Sequence, residues 1–82
     1  MVTVLDRRRY GYDVAIYPKD HDPAHVHVYR GGNEVLININ DWSVIENYGF
    51  RSREVRRILN LLKEHELLLR DTWDRYPGSL KS

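Results

Sequence analysis

The chain predicts an α+β domain, and three observations carry that expectation. Its first half alternates apolar and polar residues with a period of two, as in His25-Val26-His27-Val28 and Val35-Leu36-Ile37-Asn38-Ile39, the spacing of half-buried strands. From Ser52 onward, Val55, Ile58, Leu59, Leu62, Leu69, Trp73 and Tyr76 recur at helical intervals instead. Between the halves there is no linker, low-complexity tract or internal repeat, so the 82 residues read as one domain, 1–82.

The first predicted strand is Asp13 to Tyr17, ended by Pro18, and the polar connection from Lys19 to Ala24 carries Asp and Pro where turns favour them. A second strand runs from His25 to Arg30. Gly31-Gly32-Asn33 then supplies the positive-φ residues of a tight hairpin before a third strand, Glu34 to Asn40. The simplest product is a three-stranded antiparallel meander. Alternation puts Val14, Ile16, Val26, Val28, Val35, Ile37 and Ile39 on its core face, and Tyr17, His25, His27, Tyr29, Leu36, Asn38 and Asn40 on the other. Antiparallel sheets commonly leave that second face wet.

Ser52 is the expected N-cap of a long C-terminal helix that Pro77-Gly78 stops. Unbroken, it would cover about 24 residues and ~36 Å, more than a meander of ~20 Å can cover. Either the surplus, flanked by Leu61 and Leu68, packs on Trp42, Ile45 and Phe50 or on a second subunit in a homo-oligomer, or the helix breaks near His65 and folds back on itself. His65 itself reads as a packed or edge histidine.

Composition narrows the function classes. A chain this short buries only roughly 60–65% of the surface that its unfolded form exposes, which disfavours a deep private cavity. With no cysteine there is no disulfide or thiolate metal site. No apolar run approaches the ~18 residues of a membrane span, and Met1-Val2-Thr3-Val4-Leu5-Asp6 is too quickly charged for a signal peptide, so a cytoplasmic protein without membrane partners is expected. The net charge is only +1, below that of a dedicated nucleic-acid binder. Its arginines are bunched, however: Arg7, Arg8 and Arg9 together, then Arg51, Arg53, Arg56 and Arg57, and the second group is the candidate nucleic-acid or anion contact.

The most suggestive chemistry is the segment His21-Asp22-Pro23-Ala24-His25-Val26-His27-Val28. On a strand His25 and His27 share a face with Tyr29, and an imidazole, which ordinarily titrates near ~6.5, suits proton transfer, metal ligation or phosphate contact. The candidate functional face is His21, His25, His27, Tyr29 and Asn38. Two imidazoles at i and i+2 can meet one zinc or other transition-metal ion, with His21, Asp20 or Asp22 as the third ligand. A catalytic version would use one histidine as general acid or base at a phosphodiester, with Arg51, Arg53 or Arg56 holding phosphate and a tyrosine hydroxyl orienting the group. No nucleophile elbow, phosphate loop or carboxylate pair fixes such a geometry. Tyr17, Tyr29 and Trp42 could stack bases, although tyrosines on small sheets ordinarily serve cross-strand packing.

Several of these pieces occur together in a known family. Thr3-Val4-Leu5, Gly11-Tyr12, Asp20-His21-x-Pro23-x-His25-Val26-His27-Val28, Asn47-Tyr48-Gly49-Phe50 and Leu67-Leu68 to Trp73-Asp74-x-Tyr76 resemble, in that order and over nearly the whole chain, domain-of-unknown-function family 4160. The resemblance implies a small, mainly bacterial protein, often encoded beside another small protein in a toxin–antitoxin-like pair. It marks His21, Pro23, His25, His27, Gly49, Phe50 and Trp73 as motif positions without giving them roles. The chain departs from the family where Val14-Ala15-Ile16 replaces consecutive aromatics and where Ala24 replaces a common proline.

The resulting expectation is a binding or regulatory module without a cofactor, working with a small protein encoded nearby and with RNA as a further contact. The alternative is a histidine-based metal-binding protein, with His21, His25 and His27 as ligands, or a ribonuclease-like enzyme.

Overall fold

The computed structural model describes residues 1–17 and 23–75. The chain is α+β, with the elements β1 (Val2–Leu5), α1 (Arg7–Tyr10), β2 (Asp13–Ile16), β3 (His25–Arg30), β4 (Asn33–Asn38), β5 (Val44–Tyr48), α2 (Ser52–Glu64) and α3 (Glu66–Arg75). All neighbouring strands are antiparallel, in the order β1-β2-β3-β4-β5.

The predicted meander is therefore the centre of a larger sheet, and three strands must be corrected to five. Val2-Thr3-Val4 is β-branched, but with Leu5 the strand is too short to declare itself. It pairs Val2 with Ile16 and Thr3 with Ala15 before a register shift at Leu5. Val44 to Tyr48 mixes apolar, acidic and amide residues and is exposed throughout, so hydrophobic alternation does not reveal it.

Local side-chain bonds build the connections. Asp6 accepts from the Arg9 backbone N–H at 3.0 Å and Asp13 from that of Arg7 at 2.8 Å, so the arginine triplet winds into a single turn. Gly31 and Gly32, at φ 55° and 85°, make the β3–β4 hairpin. In the β4–β5 turn the Asn38 side-chain Oδ1 accepts from the Asn40 and Asp41 backbone N–H groups. Asp41 accepts from the Ser43 hydroxyl and amide, bonds that hold its carboxyl below the usual range.

Asn47 closes the loop into α2. It donates to the Phe50 carbonyl at 2.9 Å and accepts from the Phe50 amide at 3.0 Å, while Gly49 takes φ 106°. The Asn-Tyr-Gly-Phe motif thus acts as a clamp that turns the chain from strand to helix and seats Phe50 in the core. Ser52 begins the helix but is not its N-cap; that position is Arg51, whose side chain makes no capping bond.

The long helix breaks at His65, as the shorter alternative foresaw. The His65 amide bonds the Leu62 carbonyl at 3.0 Å and its Nδ1 donates to the Leu61 carbonyl at 2.9 Å. Tyr10 packs edge-on against the imidazole, 5.1 Å between centroids. The break resolves the excess length, because α2 and α3 both place residues on one sheet face. Ile58 and Leu62 from α2 and Leu69 and Trp73 from α3 join Val14, Ile16, Val26, Val28, Val35, Ile37 and Ile39 in a single core. Burying each such aliphatic side chain contributes about 1.5–3 kcal/mol. Phe50 and the half-buried Trp42 reach this core, whereas Ile45 and Leu68 remain exposed. No helix among the described residues is long and apolar enough to cross a membrane.

Candidate functional site

The sheet has one apolar and one polar face, set by the strand alternation. On β3, Val26 and Val28 are fully buried beneath the helices, while His25, His27 and Tyr29 face the other way and are half-buried. Cross-strand pairing extends this polar face in rows. His27 lies between Ala15 and Leu36, with Glu46 beyond; Tyr29 lies between Asp13 and Glu34, with Tyr48 beyond; His25 lies opposite Asn38.

Hydrogen bonds connect these rows. Glu34 sits diagonally across from His27 and accepts from its Nδ1 at 3.0 Å. His25 Nδ1 is 2.7 Å from the Pro23 carbonyl oxygen, which can only accept. Nδ1 of each imidazole therefore carries a proton. Their centroids are 5.2 Å apart. Tyr17 stands edge-on to His27 at 4.5 Å, Tyr29 stacks 6.3 Å away on its other side, and the two tyrosine hydroxyls hydrogen-bond to each other. Burial, then the bond to Tyr17, then the charge of Glu34 push the Tyr29 phenol well above its ordinary range, so it stays protonated. From the helix side α3 reaches only the rim, where the Trp73 ring comes within 5.4 Å of His25.

Histidines held through Nδ1 in this way can transfer protons or ligate a metal. A carboxylate or backbone carbonyl on Nδ1 is the arrangement that orients metal-ligating and general-base histidines. His21, the predicted third ligand, and its neighbours Asp20 and Asp22 lie outside the described residues. Among the described residues no group of three or more His, Asp or Glu side chains is placed to hold a metal ion. Of the sequence-derived face, His25, His27 and Tyr29 come together, whereas the Asn38 side-chain Oδ1 is committed to its turn.

The arginines gather elsewhere. Arg51, Arg53 and Arg57 line a hollow of about 440 Å³ with Ser52 and Glu54 at the start of α2. Arg56 turns instead to a groove of about 330 Å³, formed by Val44 and Asn47 of β5 and Ser52, Val55 and Leu59 of α2. Glu54 is already engaged: Arg30 bonds it at 3.3 Å and the Tyr12 hydroxyl donates to it at 3.2 Å. Burial and then that carboxylate raise the Tyr12 phenol above its usual range. Among the described residues no carboxylate forms an ion pair with Arg51, Arg53, Arg56 or Arg57. Because α2 packs on the apolar face, the structure does not bring these arginines to the histidines.

Two residues near the histidines escaped sequence reading. Glu34 has the same strand parity as Leu36 and Asn38, so alternation alone could have placed it on the polar face. Arg7 was noted only as part of a charge cluster, yet it lines a hollow of about 260 Å³ with Tyr29 and Glu34. No periodic signal could have found that contact.

No curated protein and no solved structure matches the chain. A family model does match, over residues 11–74. That span holds the histidine strand, the Asn47 clamp and both core helices, and by it the chain belongs to the family described as "Domain of unknown function (DUF4160)".

Proposed function

We propose that this chain is a small binding or regulatory module, one member of a toxin–antitoxin-like pair, that works by engaging a protein partner. The observation that carries this reading is β5. The sheet ends on a strand exposed at all five residues, with Val44, Ile45 and Tyr48 each more than 40% exposed. Proteins usually blunt such an edge, because its unpaired backbone groups and apolar side chains invite another chain.

The test is co-expression with the small protein encoded beside it, followed by co-purification. A stable complex that tolerates the His25→Gln/His27→Gln double variant supports this reading. No complex with the unmodified chain counts against it.

A second reading rests on a different observation, the two histidines oriented through Nδ1. It makes the polar face a transition-metal site or a ribonuclease-like centre, with His27 as base, Glu34 orienting it and the tyrosine hydroxyls as hydrogen-bond donors. Elemental analysis of the untagged protein decides its metal form: near-stoichiometric zinc or another transition metal that disappears in the double variant would support it. RNA cleavage lost in the same variant would support its enzymatic form.

A further inference from the structure

We infer that the edge of β5 and the groove beside it take an extended, acidic segment of a partner protein, added to the sheet as a sixth strand. The inference rests on the partner reading above and adds the place and the chemistry.

Three features of the molecule converge on this occupant. Among the described residues β5 has a strand neighbour on one side only, which leaves its outer edge to strand addition, the mode in which main-chain bonds give affinity and flanking pockets give specificity. The pocket is present: Val44, Val55 and Leu59 give the groove an apolar floor, and Asn47 and Ser52 provide polar margins. The charge is one-sided, since Arg56 lines the groove and Arg51, Arg53 and Arg57 stand beside it without carboxylate partners among the described residues. A segment with apolar residues toward the groove and Glu or Asp toward the arginines satisfies both requirements.

A second copy of the chain fits less well. Glu46 is the middle residue of β5, so a two-fold antiparallel pairing that used the whole strand would set Glu46 against Glu46. The segment Tyr76-Pro77-Gly78-Ser79-Leu80-Lys81-Ser82 carries a lysine and no Asp or Glu, so its side chains offer the arginines no counter-charge.

The test uses two short synthetic peptides, each fluorescein-labelled: one that carries Val and Glu together on a single strand face, in the pattern Val-Thr-Val-Thr-Glu-Thr-Glu, and one with Lys in place of Glu. Binding is followed by anisotropy, and backbone protection by amide hydrogen exchange. The acidic peptide is expected to bind, to slow exchange at residues 44–48, and to lose affinity about tenfold or more in Arg53→Glu/Arg57→Glu and at high salt. The lysine peptide should bind only the charge-reversed variant. Val44→Asp should weaken the acidic peptide as well, and far-ultraviolet circular dichroism checks that both variants fold.

Equal binding of the two peptides, no binding of either, or protection confined to the histidine face would overturn the proposal. So would a labelled single-stranded RNA that occupies the arginines without protecting residues 44–48, or dimerisation of the chain through those residues. A co-purified complex that ignores Arg53→Glu/Arg57→Glu and Val44→Asp would overturn it while leaving the partner reading intact. Absence of any complex bears on the partner reading alone, because the peptides still report on the groove.

Discussion

The two faces of β3 place different demands on the same six residues. Val26 and Val28 are wholly buried against the helices, and their neighbours Val14, Val35 and Ile37 are equally enclosed. His25, His27 and Tyr29, alternating with them, are tied instead by hydrogen bonds to Pro23, Glu34 and Tyr17. One face holds the fold by area removed from water; the other holds side chains in set orientations at little gain in stability. The difference predicts that loss of a residue on the first face unfolds the protein and that loss of one on the second leaves the fold in place.

The largest effect should come from Leu62→Ala on the apolar face. Leu62 is fully buried where α2 meets the sheet, and its truncation should cost about 2–5 kcal/mol in urea unfolding. A domain of this size has little more than that to lose. Next is Gly49→Ala, in the clamp that delivers Phe50 and α2 to that face. Its φ of 106° disfavours any Cβ, and an added Cβ would also meet the Asn33 side chain. A loss of about 1–3 kcal/mol is expected. Adding Asn33→Ala should not restore it, because the backbone angle remains; full rescue would show that the collision alone mattered.

His27→Gln sharpens the comparison from the polar side. It should cost less than Leu62→Ala, on the order of 1–2 kcal/mol, because Gln keeps a donor for Glu34 while a hydrogen bond to a charged group is worth about 1.5–3 kcal/mol. A cost comparable to that of Leu62→Ala would mean that the polar face is structural after all. Glu34→Gln should act on titration more than on stability. Removing its charge should lower the Tyr29 pKa in an ultraviolet titration, yet leave it above the ordinary value, because burial is the larger cause. The sign for stability follows: with the folded pKa raised, the contribution is full below the unfolded value near ~10 and is lost as pH rises above it. The stability lost above that pH should therefore be smaller in Glu34→Gln than in the parent. The smallest effect belongs to Leu67→Ser, since Leu67 is 86% exposed; a shift within about 0.5 kcal/mol is expected.

Legibility differed with the kind of signal. Every residue assigned to the core face by alternation, from Val14 to Ile39, is buried, because a strand buried on one side must repeat with period two. The His65 break was foreseeable as an alternative, since one straight helix outran the meander. The strands β1 and β5 were not visible, one too short and the other exposed at every position. The Asn47 motif was recognised by resemblance, but its role required the loop geometry, in which one side-chain amide closes both bonds to Phe50.

The amino-acid order by itself determined the α+β class, the three central strands, their two faces and the shared exposure of His25 and His27. These rest on interactions between near neighbours, which leave a period in the sequence. Tertiary structure alone decided that Glu34 bonds His27, that Arg7 borders the polar face while Arg51, Arg53, Arg56 and Arg57 gather at the helix side, and that β5 is the last strand of the sheet among the described residues. Those outcomes depend on which distant strands and helices pack together, and long-range packing leaves no period to read.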